Sequence, residues 1–231
     1  MQCSADVRKA KFAVESDPTS IFSSLWGHSD FDGATETSKV AADLNLLYPS
    51  QLMRAFDSDE IIAKLYPVVY GPEIVPMVLV GPAGIGKATI LHEVIYRYHE
   101  KHHDQDLRTL SKIWHLDPNR VISGMSIVGM WQRRFETILE YMLHRLDPYH
   151  KTDKLFVDNL VALFRIGKSA HNHMTLSSVL KPYLEKRKLQ VIAKATPQEW
   201  KIVQEKDRRL SDMFYVIRLS EPAPKAAVRI V

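Results

Sequence analysis

Residues 76–89 read Pro76-Met77-Val78-Leu79-Val80-Gly81-Pro82-Ala83-Gly84-Ile85-Gly86-Lys87-Ala88-Thr89. A short apolar run leads into Gly81-x-x-x-x-Gly86-Lys87, and an amphipathic stretch follows. This is the phosphate-binding loop pattern in the context it needs, a buried strand feeding a helix N-terminus. The glycines let consecutive backbone N–H groups curl round a polyphosphate, and the helix turns its positive dipole end toward it. On this reading Gly81, Pro82, Ala83, Gly84, Ile85, Gly86, Lys87, Ala88 and Thr89 form the nucleotide cradle, with Lys87 reaching the β- and γ-phosphates. One position departs from the pattern. The residue after the lysine should carry the hydroxyl that binds Mg²⁺, but it is Ala88, with Thr89 one step late.

The remaining sequence is that of an α/β protein. Its 231 residues are 45% hydrophobic, ample for one core with an appendage. Strand-like apolar runs at 75–80, 111–116, 154–157, 189–193 and 214–219 alternate with amphipathic stretches at 88–98, 131–146, 176–188 and 197–206. Short apolar strands separated by helices predict a parallel sheet covered on both faces, with the phosphate loop at its carboxyl edge. Residues 1–36 are polar and read as a flexible arm with a short helix near 7–14, and 37–231 as the nucleotide-binding core.

Charge and cysteine usage exclude several classes. The formal net charge is +4, and the basic residues are scattered pairs such as Arg133-Arg134 and Arg208-Arg209, not one tract. That pattern does not support a nucleic-acid partner. Cys3 is the single cysteine, so no internal disulfide forms. With no apolar signal core and no run of membrane-spanning length, the sequence predicts a cytoplasmic protein without a membrane partner. His102-His103 and His171-Asn172-His173 lack the further ligands of a structural zinc site and read as loop histidines. Trp114, Trp131 and Trp200 have apolar neighbours and read as core.

A second acidic strand end completes a nucleotide site. Leu155-Phe156-Val157-Asp158-Asn159 supplies the strand and, in Asp158, a carboxylate suited to Mg²⁺. Where a glutamate would serve as general base stands Asn159, whose amide orients water but accepts no proton at neutral pH. The catalytic candidates are therefore Lys87, Asp158 and Asn159, and the metal candidates Asp158 and Thr89.

From about residue 52 to 222 the chain resembles the first ATPase domain of the Clp-type AAA+ unfoldases. The resemblance is carried in order by Asp59-Glu60-Ile61-Ile62, Val78-Leu79-Val80-Gly81, Leu116-Asp117, Gly124 and Gly129. Leu155-Phe156-Val157-Asp158, Leu180-Lys181-Pro182, Leu189 to Thr196 and Glu205-Lys206-Asp207 continue it. It implies a three-layer αβα core with a five-stranded parallel sheet, ATP or ADP with Mg²⁺, and a ring that threads protein substrate. The departures cluster on catalytic roles. The substrate-gripping aromatic of the pore loop is Ile127, and the paired arginines expected before Phe214 are Asp212-Met213. Such arginines are worth about 10³–10⁵ in rate where they act across an interface. Arg208 and Arg209 lie a helical turn upstream, the Gly-Arg of the adenine side is Asp57-Ser58, and the polar sensor falls at Ala195 or Thr196. The family's helical lid is also missing from the sequence.

Two functional readings follow. In the first, the chain is a degenerate or pseudo-ATPase module that binds ATP or ADP and acts through protein contacts in a homo- or hetero-oligomeric ring. In the second, it is a divergent but active AAA+ ATPase that remodels protein substrates.

Overall fold

A computed structural model describes residues 31–125, 129–145, 152–168 and 173–220. The chain divides into two units, residues 1–30 and 31–231, and the described residues all belong to the second. The helix expected near 7–14, Ile127 of the expected pore loop and His171 lie outside the described residues.

Five strands pair in parallel, each joined to the next by a helical connection. They are β2 (Met77–Val80), β3 (Ile113–Leu116), β4 (Lys154–Val157), β5 (Gln190–Ala195) and β6 (Tyr215–Arg218), and all but the edge strand β6 are buried on both faces. A sixth, β1 (Ala41–Asp43), pairs antiparallel with β3, so the order is β1-β3-β4-β5-β2-β6. The five-stranded sheet expected from the sequence thus gains one edge strand. Its three residues, Ala-Ala-Asp, carry no β-propensity of their own and are drawn into the sheet by register with Trp114 to Leu116.

Strand register sorts the two cores. Met77, Leu79, Ile113, Phe156, Ile192 and Ile217 face α2 (Asp59–Tyr70) and α3 (Lys87–Lys101). On α3, Leu91, Val94, Ile95 and Tyr98 recur at helical spacing and close over that face. Val78, Val80, Trp114, Leu116, Leu155, Val157, Val191 and Ala193 face the other way. There they meet α5 (Met130–His144), whose Trp131, Phe135, Ile138, Leu139 and Met142 form one stripe, and α6 (Leu176–Glu185) with α7 (Pro197–Lys206). Trp114, Trp131 and Trp200 are all buried in this layer, as the sequence indicates.

The first described helix, α1 (Gly33–Val40), runs across the boundary expected at residue 36. Asp32 caps it, accepting from Thr35 N–H at 2.8 Å. Glu36 is buried against α5 and pairs with Arg134 Nε at 2.6 Å, both side chains less than 8% exposed. Arg134 also donates to the carbonyls of Arg120, Val121 and Ser123 at 3.1–3.2 Å, at the end of α4 (Pro118–Ile122). One guanidinium therefore ties α1, α4 and α5 together. Residues 33–36 pack with the core, not with an arm.

Breaking a buried ion pair while leaving its partner in place strands a charge. Arg134→Met is expected to lower the unfolding free energy by about 3 kcal/mol in urea titrations. A loss under about 1 kcal/mol would mean the clamp is screened by solvent like a surface pair.

Candidate phosphate-binding site

The loop 81–86 leaves β2 where two parallel neighbours hold it. Gly81 N–H donates to the Ala195 carbonyl at 3.1 Å, and Leu219 N–H donates to Val80 at 2.8 Å. A Cβ on Gly81 would lie 2.9 Å from the Leu219 carbonyl oxygen, so close strand packing demands glycine there. Gly86 stands at the N-cap of α3 with φ +89°, a left-handed conformation that side chains disfavour. It brings no capping side chain to the first turn of α3, whose N–H groups are left to a ligand or to water. Pro82, Ala83 and Gly84 are exposed, Ile85, Gly86, Ala88 and Thr89 half-buried, and Lys87 is buried.

The Lys87 ammonium donates to the carbonyls of Gly81 and Pro82 at 2.7 and 2.6 Å. Burial, and then the charge of Lys194, hold its pKa below the usual lysine value, while Glu199 acts the other way. Thr89 Oγ1 lies 4.0 Å from Met53 Sδ. Ala88 offers no side-chain oxygen.

Parallel pairing brings three further side chains to the same edge. His115 is opposite Phe156, and Phe156 opposite Ile192; two residues on along β5 and one past β4, Lys194 and Asp158 share that face. Asp158 Oδ1 pairs with Lys194 Nζ at 2.9 Å, and Oδ2 lies 3.1 Å from His115 Nε2. Burial alone would raise the Asp158 pKa, but the hydrogen bonds from His115 and Lys194 outweigh it and hold the carboxyl below the usual range. His92, on α3, accepts from Met53 N–H through Nδ1 at 3.3 Å. Burial first, and then His115, lower its pKa, against an opposite pull from Asp158.

Asn159 has a local task. Its amide oxygen accepts from Ala162 N–H at 3.0 Å and caps the short 3₁₀ helix Leu160–Phe164. Thr196, one of the two sensor candidates, caps α7 in a reciprocal box: its N–H donates to Glu199 at 2.7 Å, and its hydroxyl accepts from Glu199 N–H at 3.2 Å. The tight β5–α7 turn this makes fixes where Lys194 ends up. Arg208 and Arg209 lie on the short helix α8 (Arg208–Asp212) and are exposed.

The structure thus gathers Gly81 to Thr89 and Asp158 at one edge, with Asn159 beside them. Sequence reasoning missed Lys194, His115 and His92 as neighbours of that edge. A signal was present: His115 and Lys194 each interrupt a run of buried apolar residues in a strand, and a charge in that place requires a partner.

Behind the loop, α3 is held by a second buried carboxylate. Glu93, 1% exposed, accepts from Arg54 Nε at 2.7 Å and from Arg97 Nε at 2.9 Å. Arg97 also reaches Asp59 at 2.6 Å, and the Arg54 guanidinium stacks on Tyr96 at 3.5 Å. These contacts tie residues 53–59 to the helix that carries Lys87.

No protein-family profile matches the chain. A "ClpA homolog protein" of Fuscovulum blasticum is 26% identical over 201 residues, covering 84% of this chain and 24% of that protein. The Hsp104–ADP complex of S. cerevisiae superposes with a TM-score of 0.66 at 25% identity, over 84% of this chain and 26% of that one. A closed-state reconstruction of Hsp104 with ATPγS and FITC casein gives 0.69 at 26%, over 84% and 32%. The chain therefore spans a quarter to a third of these relatives, and its described core is similar in sequence and fold to the Clp-type AAA+ domains.

The Glu93 pair generates a pH dependence. Burial acts to raise its pKa, but hydrogen bonds from Arg54 and Arg97 win and leave it lowered. A depressed carboxylate contributes stability that is full above its unfolded pKa, near 4.5, and lost as pH falls through the folded value. Glu93→Gln is expected to lower stability at pH 7 by about 2 kcal/mol and to flatten the decline below about pH 4.5. Thermal melts from pH 3 to 7 read both; an unchanged acid limb would remove Glu93 from the linkage.

Proposed function

We propose that this domain binds a nucleoside polyphosphate, ATP or ADP, at the Gly81–Thr89 loop. The observation that carries the reading is the Lys87 ammonium, buried at a helix N-terminus that no side chain caps and lying in the field of a second cation, Lys194. Two ammonium groups near one another, beside a helix N-terminus without a side-chain cap, form a site whose natural complement is a multiply charged anion. No atom lies within 4 Å of where a Cβ on Gly84 would sit, so the loop leaves room for phosphate close to its backbone. Lys87 would exchange its two carbonyl partners for phosphate oxygens, a stronger charge-assisted bond.

Nucleotide here serves binding more than turnover. Asn159 holds the position of a general base, accepts no proton at neutral pH, and spends its carbonyl oxygen on Ala162 N–H. The domain would then act through protein contacts, in or on a ring assembly of the Clp type, with hydrolysis slow or absent in the isolated chain. Support comes from the likeness to Hsp104, which is known in complex with ADP and with casein.

Titration calorimetry of ADP against the purified protein tests the reading. Micromolar affinity that falls at least about tenfold in Lys87→Ala is expected. Equal affinity in both proteins, or none in either, would remove the loop as the site. A steady ATP turnover of about 1 per second or faster would place the chain among ordinary enzymes and overturn the binding-module reading.

A further inference from the structure

Asp158, the acidic residue beside the loop, already holds a cation. Its Oδ1 meets the Lys194 ammonium at 2.9 Å and its Oδ2 the His115 imidazole at 3.1 Å. Mg²⁺ takes six oxygens in near-ideal octahedral geometry and parts with water reluctantly. Around this loop the donors it would draw from the protein are spent or missing. Ala88 has no hydroxyl where the loop pattern needs one, Thr89 stands one step late, and both Asp158 oxygens are engaged. The residues present do not fit the metal. They suit an ammonium ion, which needs only donor geometry and no coordination sphere.

We propose that Lys194 is the resident counter-cation of this site, so that nucleotide binds through Lys87 and Lys194 without a divalent metal ion. The inference rests on the nucleotide-binding reading above and deepens it by naming the form of the ligand: a free, metal-less polyphosphate.

The fold places Lys194 for this task. In β5 it is opposite Leu79 of β2, two residues before Gly81. It also shares a sheet face with Phe156 and, one step beyond β4, with Asp158. The capping box at Thr196 ends β5 directly afterwards, so the stem rises at the carboxyl edge beside the loop. An ammonium carries three donors; pairing with Asp158 uses one, and the others can meet phosphate oxygens. Burial first, and then the Lys194 charge, lower the Lys87 pKa, and an incoming polyphosphate would relieve the charge repulsion. A divalent ion entering the same space would have to displace Lys194 from Asp158 and then sit among Lys87, Lys194 and His115. Like charges repel, so the two ammonium groups oppose its entry.

The test is ADP binding by calorimetry to the intact protein, in excess Mg²⁺ and in EDTA, for wild type and Lys194→Met. Methionine keeps the length of the stem and removes the charge; a thermal melt confirms that the variant is folded. Wild-type affinity is expected to agree within about threefold between the two buffers, and Lys194→Met to lose at least about tenfold in EDTA. If wild type loses more than about tenfold on removing Mg²⁺, the inference is overturned while nucleotide binding stands. If Lys194→Met binds as wild type does in EDTA, Lys194 is only a structural partner of Asp158 and the inference is likewise overturned. Should wild type fail to bind in both buffers, the nucleotide reading itself falls and takes the inference with it. The wild-type comparison decides the matter even if the variant does not fold.

Discussion

Parallel pairing of β2 with β5 is the constraint from which the rest of this molecule follows. Parallel strands point their carboxyl ends to one edge, and the register Leu79 to Lys194, Val80 to Ala195 sets which residues arrive there together. Slip that register by one residue and Lys194 turns to the opposite face, among Val78, Val80 and Val157 of the neighbouring strands, where a charge has no partner. The correct register is enforced from both sides. Met77, Leu79, Ile192 and Phe156 must meet α3, while Val78, Val80, Val157 and Ala193 must meet α5 and α7. Apolar packing of the sheet faces thus determines the electrostatics of its edge, though no apolar residue takes part in those electrostatics.

Three buried carboxylates show how the scaffold keeps that edge still. Glu93 locks α3 to residues 54–59, and Glu36 with Arg134 locks α1 and α4 to α5. Asp153, fully buried before β4, accepts from Lys112 N–H at 2.9 Å, from Trp114 Nε1 at 2.8 Å and from Arg145 at 2.5 Å. Each is satisfied by several donors, which is the condition under which a buried charge is tolerated at all. They lie at helix–helix and helix–strand joints, where apolar contact alone would permit sliding. Asp158 belongs to the same class chemically, yet it lies at the open edge and its partners are long enough to move.

The sequence made the sheet and the loop legible because both depend on local periodicity. Apolar runs of four to six residues, separated by helix signals, led to every parallel strand, and Gly81 to Lys87 led to the loop. The edge strand Ala41–Asp43 was hidden, since pairing with β3 and not residue preference makes it a strand. Helix α1 was hidden by the polar face of Thr35 to Ser38; its burial rests on the Glu36–Arg134 pair, a contact across 98 positions that no local pattern announces. The candidate site was half legible. Motif spacing led to Lys87 and Asp158, but Lys194 and His115 become site residues only when three strands stand side by side. At Asn159 the sequence showed the strand-end position but not the local task, the cap on Ala162 N–H, which depends on the turn that follows.

The features of the edge form one consistent set when charge is followed rather than motif. A phosphate site with a catalytic metal needs a hydroxyl after the lysine, a carboxylate with open oxygens and a second carboxylate to take a proton. Here alanine, an ion-paired aspartate and an asparagine stand in those places. Were these unrelated losses, the carboxylate of Asp158 would remain as a bare charge next to a bound polyphosphate, repelling it. The Lys194 ammonium cancels that repulsion, and the left-handed glycine at the α3 N-cap keeps the helix N–H groups available. On the binding reading proposed above, the two demands separate: anion affinity needs only net positive potential, whereas hydrolysis needs a metal, a base and a water in register.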